Sequence, residues 1–252
     1  MAARVGLRKK EGKRLSTVSV ILPTYNERGN IGPLVEATLR SCRRWPSNVL
    51  VVDDDSPDGT WQVVQEIAQR DRRVRLLRRI GERGLASAIA TGIRATDGDI
   101  IVWMDCDFSM PPERIPALVA AIADDGYDVA VGSRYVQGGQ DVGHGLMARL
   151  LSRIINLFAA LLLGFTVRDY TSGFIATRRA VFGELDLRGD YGEYCIDFLA
   201  RAQRCGYRLS EVPYTCGARR SGESKTGTNL LDYLRRGWKY VVTVLKLAIG
   251  EG

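Results

Sequence analysis

The sequence predicts an α/β fold: a mainly parallel sheet flanked by helices, with C-terminal amphipathic helices. Three observations carry this reading. Short apolar runs rich in β-branched residues recur through the first half of the chain, segments of helical period separate them, and a polar cluster follows almost every run. Strands covered on both faces read as near-continuous apolar runs, and regular alternation with helices is the pattern of βαβ crossovers. Ligands of such sheets bind outside the carboxyl ends of the strands, which is where the polar clusters fall.

The elements follow in order. TVSVIL (17–22) is the first strand, and the turn residues PTYNERGN lead into a helix with apolar 3–4 spacing over 31–44. NVLVV (48–52) is a second strand, DDDSPDG a turn, and 60–70 a helix. VRLL (74–77), a helix over 84–95, DIIVWM (99–104), a helix over 113–123 and DVAVG (128–132) complete the alternation. The second half reads differently. Residues 142–180 carry five Arg and one Asp around the apolar run 154–165, and residues 215–240 carry six cations against Glu223 and Asp232. There is no internal repeat and no low-complexity stretch. The chain divides into a basic arm over 1–16, one α/β domain over 17–228 and an amphipathic helix over 229–252.

Composition narrows the function classes. A length of 252 residues and 45% hydrophobic content suit an ordinary globular protein with a sizeable core. The formal charge is +7, and only six of the 36 cations are Lys. Arg suits bidentate contacts to phosphate or carboxylate. The charge leaves nucleic acid, an anionic membrane surface and phosphorylated small molecules open as partners. Residues 1–14 hold six cations and one acid; they read as a solvated arm, with contact to anionic lipid as the sharper alternative. Five scattered cysteines without a CxxC spacing read as free thiols in a reducing compartment. The single His144 argues against a zinc site or a histidine-centred triad. The apolar runs 154–165 and 241–249, interrupted by Asn156 and Lys246, fall short of the ~20 residues that span a bilayer, so no spanning segment or membrane anchor is expected.

Three acidic clusters stand at strand ends. Asp105 and Asp107, after DIIVWM, can converge on one hard cation of the Mg²⁺ or Mn²⁺ type; a helix cap or a solvated turn would use the same residues. Asp53-Asp54-Asp55 places three adjacent carboxylates that repel unless a metal, a base edge or a ribose hydroxyl pairs with them, while Asp58-Gly59-Thr60 offers turn and cap chemistry. In Pro23-Thr24-Tyr25-Asn26-Glu27, Tyr25 can stack on a base and Glu27 can accept from ring N–H or ribose groups.

VSVILPTYNERGNI, VVDDDSPDGT, DCDFSMPP, VGSRYVQGG, DYTSGF and RRSGESK occur in that order between about Val18 and Lys225. Together they resemble the GT-A (Rossmann-like) family 2 glycosyltransferases, and within them the polyprenol (dolichol) phosphate mannose synthases. The resemblance implies that Pro23, Tyr25, Glu27, Val52, Asp54, Asp105, Cys106, Asp107, Arg219 and Lys225 line the donor nucleotide site. It implies that Asp105 and Asp107 hold Mg²⁺ or Mn²⁺ with Ser109 as a weaker ligand, and that Arg134, Arg149 and Arg153 meet the acceptor phosphate. Asp107 and Arg134 are then the residues closest to the chemistry. The sequence departs from the usual pattern in three places: Ala148 stands where a second basic residue often lies beside Arg149, Tyr170 replaces a Pro, and Ser221 replaces an Arg.

The implied reaction is inverting transfer of mannose from GDP-mannose to a polyprenyl or dolichyl monophosphate. A phosphate acceptor is already ionised, so no strong base is needed; positioning and charge neutralisation supply the rate. The nearest rival is the same fold with UDP-glucose as donor. A basic nucleic-acid-binding protein is the competing class; the acidic clusters and the lack of an aromatic-plus-basic signature argue against it. The resemblance also implies peripheral attachment to the cytosolic face of a membrane, the endoplasmic reticulum in a eukaryote or the plasma membrane in a prokaryote, and relatives that recruit small membrane subunits. Leu146–Phe165, with Arg149 and Arg153 ahead of its apolar residues, suits an interfacial helix, and so does the stripe Leu230, Leu234, Trp238, Val241 and Leu245. Packing against the α/β domain is the alternative for both.

Overall fold

The computed structural model describes residues 15–221 and 230–250. Lys225 and nearly all of the basic arm lie outside them. The first half of the chain forms the expected alternation: β1 (Val18–Thr24), α1 (Arg28–Ser41), β2 (Ser47–Asp53), α2 (Thr60–Arg70), β3 (Val74–Arg78), α3 (Leu85–Ala95), β4 (Ile100–Trp103), α4 (Ile115–Ala123) and β5 (Val129–Ser133). α1 starts three residues before its apolar spacing does and ends at Ser41. Asn30 and Ile31 amides both donate to the Glu27 carbonyl, which sets the first turn.

The second half adds β6 (Gln140–Asp141), α5 (Leu146–Leu163), β7 (Ile175–Arg178), α6 (Glu193–Arg204), β8 (Leu209–Pro213), β9 (Thr215–Cys216) and α7 (Leu230–Ala248). The main sheet runs β3-β2-β1-β4-β7-β5-β8, and β6 pairs with β9 in a small second sheet. β7 alone is antiparallel to its neighbours, β4 and β5. The sheet is therefore mainly parallel, as expected.

Side chains alternate between two cores, as a period of two requires. Val18, Val20 and Leu22 of β1, with Val49, Val51 and Val102, pack beneath α1, α2 and α4. Ile21, Leu50, Val52, Ile101 and Trp103 pack beneath α3, α5, α6 and α7 on the other face. Trp103 is fully buried, donates Nε1–H to the Tyr194 hydroxyl at 3.1 Å, and packs edge-on against Phe198. β1 connects outward to β2 on one side and lies beside β4 on the other, so the strand order reverses between β1 and β4. That switch point opens a crevice at the carboxyl edge.

α5 and α7 serve two surfaces at once. Of the 18 residues of α5, only Asn156, Ala159 and Ala160 are buried. Leu146, Leu150, Ile154, Leu157, Leu161 and the following Phe165 form an exposed apolar stripe at helical spacing. Phe158 instead packs against the core. α5 corrects one expectation. The apolar run alone is short, but Arg149, Ser152 and Arg153 continue the helix back to Leu146, and the whole is long and apolar enough to cross a membrane by length and composition. In α7, Val244 and Leu247 enter the core, while Trp238, Leu245 and Ile249 are exposed. Of the expected stripe, Trp238 and Leu245 face outward and Val241 is half-buried, the side chains of Leu230 and Leu234 lie outside those described, and packing falls to Val244 and Leu247.

α3 approaches the sheet at Gly92, where a Cβ would stand 2.6 Å from Ile21 Cγ2 and 3.2 Å from Val52 Cγ2. Gly→Ala in a helix interior ordinarily stabilises by about 1 kcal/mol. Here overpacking reverses the sign: Gly92→Ala should destabilise by about 1–3 kcal/mol, read as a lower midpoint in urea unfolding.

Candidate active site

The loops that leave the carboxyl edge bend sharply. Asn26 (φ 55°), Asp55 (φ 54°) and Phe108 (φ 68°) are the described non-glycine residues in the left-handed region, and they follow β1, β2 and β4. Such conformations persist where surrounding contacts over-determine them. The contacts are present here. The Asp54 amide donates to the Thr24 carbonyl (3.0 Å), the Glu27 amide to Thr60 Oγ1 (2.9 Å), and the Cys106 thiol to the Pro23 carbonyl (3.2 Å).

Asp105 and Asp107 lie at the β1/β4 crevice with Glu27 and Arg219. Asp107 Oδ1 accepts from the Ser109 amide (2.9 Å) and hydroxyl (2.6 Å), which fixes the carboxylate. Its Oδ2 stands 3.3 Å from the Arg219 guanidinium, which also donates to Glu27 Oε1 at 2.9 Å. Asn30 Nδ2 holds the other Glu27 oxygen at 2.8 Å. Amides of Gly217 and Arg220 donate to the Ser109 and Asp107 carbonyls, both at 3.0 Å, so the segment carrying Arg219 is tied to the DCD loop by its backbone. Burial pushes the Asp105 carboxyl up to about 6; repulsion from Asp107 and Glu27 adds to this, and Arg219 and His144 offset part of it. Two neighbouring carboxylates that repel each other, one of them raised by burial, fit a hard divalent ion such as Mg²⁺ or Mn²⁺. The Ser109 hydroxyl donates to Asp107 and positions it.

The triple-Asp cluster divides its duties. Asp53 is fully buried and accepts from the Thr24 hydroxyl (2.8 Å) and from the Ser56 amide (2.8 Å) and hydroxyl (2.6 Å), which closes the turn. Asp54 commits one oxygen to buried Arg79 (2.7 Å) and the other to the Gly84 amide (2.9 Å). It thereby holds the loop between β3 and α3, whose Arg83 guanidinium stacks 4.3 Å above the Tyr25 ring. Asp55 pairs with Arg78, which stacks on Trp61. Asp58 caps α2 through the Thr60 amide (2.9 Å). Val52 has its side chain wholly inside the core beneath α3, so only its backbone reaches the edge.

A second pocket of about 230 Å³ opens farther along the same edge, lined by Arg134, Arg149, Arg153, Tyr135 and Asp141 among others. The three arginines expected to meet one phosphate thus share one pocket. Arg134 is held by Asp169 in a buried bidentate pair, Nε to Oδ2 and Nη2 to Oδ1, both at 2.8 Å. Its Nη2 also reaches Thr171 Oγ1 (2.8 Å), and Nη1 stands 3.5 Å from Asp141. Arg149 donates to the Asp141 carbonyl (3.1 Å), and its Nε is buried with no partner among the described residues. Arg153 is exposed at the mouth, 6.0 Å from the Tyr135 ring. The DYTSGF segment is structural in part: Tyr170 is fully buried and donates to the Gly164 carbonyl (2.9 Å). Asp141 and Asn156 were not anticipated from the sequence. Neither stands in a recognisable motif, and Asn156 looks like an interruption of an apolar helix until its bond to Thr171 (2.9 Å) is seen.

Residues 19–186 match the profile of glycosyl transferase family 2. The chain is 38% identical over 221 residues to a dolichol-phosphate mannosyltransferase of Pyrococcus furiosus, a match covering 86% of this chain and 62% of that protein. It is also 38% identical over 221 residues to the polyprenol monophosphomannose synthase of Mycolicibacterium smegmatis, covering 84% of this chain and 82% of the relative. Among solved structures, glucosyl-3-phosphoglycerate synthase from Mycobacterium tuberculosis, in complex with Mn²⁺, UDP-glucose and phosphoglyceric acid, superposes with a TM-score of 0.69. It is 21% identical and covers 92% of this chain and 80% of that one. These matches agree with the switch-point crevice and its paired carboxylates: the chain belongs to glycosyl transferase family 2.

Proposed function

We propose that the protein transfers mannose from GDP-mannose to a polyprenyl or dolichyl monophosphate, with inversion at the anomeric carbon. One observation supports this best. The neighbouring carboxylates Asp105 and Asp107 and an arginine-lined pocket share one sheet edge, and the pocket lies against the helix that exposes an apolar stripe.

In this reading Asp105 and Asp107 hold Mg²⁺ or Mn²⁺, which supplies neutralising charge to the leaving diphosphate. Tyr25, Glu27 and the loop held by Asp54 receive the nucleoside. Arg219, which bridges Glu27 and Asp107, adds positive charge for the diphosphate. Arg134, fixed by Asp169, presents Nη1 to the acceptor phosphate, with Arg149 and Arg153 completing the charge. The acceptor oxygen is anionic, so these residues have only to align it and offset repulsion between two phosphorylated substrates. The polyprenyl chain stays in lipid, and the exposed stripes of α5 and α7 provide a surface that rests on the membrane. Arg149 and Arg153 lie at head-group level. In this reading the protein works on the cytosolic face of its membrane.

Transfer from labelled GDP-mannose to a short polyprenyl phosphate tests the activity directly. Product is expected with GDP-mannose in the presence of Mg²⁺ or Mn²⁺, and equal or better use of UDP-glucose would overturn the donor assignment. Asp105→Asn and Asp107→Asn should each lower transfer by at least about 100-fold, the scale of losing preorganised charge stabilisation.

The Asp105 shift gives a pH dependence. Its folded value of about 6 lies above the ordinary 3.8, so ionising it costs stability; the cost is absent below pH 3.8 and complete above pH 6. Cation binding offsets that cost. The rise in Tm caused by Mn²⁺ should therefore be larger at pH 7 than at pH 5, and Asp105→Asn should remove the difference.

For the membrane surface, Leu157→Asp with Leu161→Asp should strongly reduce co-sedimentation with anionic liposomes while leaving the circular dichroism spectrum unchanged. Undiminished binding would remove docking by α5 from this proposal.

A further inference from the structure

β6 and β9 form a two-residue ladder in which Asp141 stands opposite Cys216. The chain then folds back at once. The amides of Val142 and Gly143 donate to the Cys216 carbonyl at 3.0 and 3.1 Å. A Cβ on Gly143 would meet the Gly217 carbonyl oxygen at 1.9 Å, so the approach requires glycine. This fold-back sets the His144 ring Nδ1 3.0 Å from both Asp141 carboxylate oxygens and 3.9 Å from Cys216 Sγ. The side chains of Asp141 and Cys216 are buried, and that of His144, 49% exposed, closes the cluster from the solvent side.

We propose that Asp141, His144 and Cys216 form a second cation site, separate from Asp105 and Asp107, which takes a borderline-soft divalent metal of the Zn²⁺ class. Around tetrahedral zinc, with bonds of about 2.0–2.3 Å, neighbouring ligand atoms stand roughly 3.3–3.7 Å apart. Here all three ligand atoms lie within 4.8 Å of one another, so modest side-chain adjustment suffices. A mixed nitrogen, sulfur and oxygen donor set favours zinc-like ions over Mg²⁺ or Ca²⁺. Three protein ligands leave a fourth position for water or an exogenous anion.

Binding displaces the proton from the His144 ring nitrogen and from the Cys216 thiol to solvent. Outer contacts are already built: Arg134 Nη1 stands 3.5 Å from Asp141, and Arg149 donates to the Asp141 carbonyl at 3.1 Å. The cation would join the wall of the arginine pocket to the strand that leads into Arg219. The single histidine of the sequence suggested no zinc chemistry, because its partners are an aspartate on one strand and a cysteine 72 residues away.

Cobalt titration of the full chain, freed of metal with chelator and desalted, tests the site. We expect one equivalent of Co²⁺ to give thiolate-to-metal charge-transfer absorption with tetrahedral ligand-field bands. Zn²⁺ should displace it, and excess Mg²⁺ should not. The signal should persist in Asp105→Asn/Asp107→Asn, vanish in Cys216→Ser, and require more than about 10-fold higher Co²⁺ in His144→Ala. Absence of the band in the parent protein would overturn the proposal. So would survival of the band in Cys216→Ser, which would point to a thiol such as Cys205, or its loss in the double Asp variant. His144 is largely at the surface, so its variant keeps the test decisive if Cys216→Ser fails to fold; unchanged cobalt affinity in His144→Ala would also refute the site.

Discussion

An ionised carboxylate at the half-buried carboxyl edge of a parallel sheet has to be met by a cation or, as at Asp53, by several hydrogen-bond donors, and the site loops are arranged around that constraint. Leaving such a charge unpaired costs several kcal/mol, whereas a surface pair contributes little. Asp54 is met by Arg79, Asp55 by Arg78, Glu27 and Asp107 by Arg219, and Asp169 by Arg134. Among residues 15–221 every permanent cation is arginine; no lysine occurs there. The planar guanidinium can serve two acceptors at fixed angles, as Arg134 and Arg219 both do. At Asp105 burial, with repulsion from Asp107 and Glu27, raises the carboxyl value, and Arg219 and His144 offset only part of it.

Sheet topology brings these pairs to one edge. Parallel strands deliver the ends of β1, β2 and β4 together, and the β1/β4 reversal separates them enough to admit a ligand. The antiparallel β7 contributes in the opposite sense. Because it runs backwards between β4 and β5, the residues that precede it, Asp169 to Thr171, arrive at the same edge and meet Arg134 at the end of β5. The β1/β4 switch point and the arginine-lined pocket beyond β5 thus lie along one edge of the sheet.

The legible parts of this protein are those whose signal is contiguous in sequence. β1, β2, β4 and β5 are apolar runs because both faces are covered, and the residues that follow them are site residues because strand ends form the edge. β7 has four residues, and β8, LSEVP, is half-buried along its length; neither carries a period strong enough to read. α6 buries Glu193, Asp197 and Arg201 beside its apolar residues, which blurs its stripe. The pairing of the site was hidden for a different reason. Arg79 is 25 residues from Asp54, Asp169 is 35 from Arg134, and Arg219 is 192 from Glu27. A motif identifies one partner of each pair, and only the fold supplies the other.

α5 carries this logic from the sheet edge to the protein surface. Its inward side is polar where polarity has a partner: Ser152 accepts the Tyr135 hydroxyl proton at 2.8 Å, and Asn156 reaches Thr171, which in turn holds Arg134. Its outward side, from Leu146 to Leu161, is apolar and uncovered. A helix buried in a soluble core would bury the leucines and leave asparagine out. α5 does the reverse, because its polar side completes the support for a buried guanidinium and its apolar side faces away from the domain. The helix that exposes the apolar stripe and the guanidinium of the arginine-lined pocket are thus joined by one chain of hydrogen bonds.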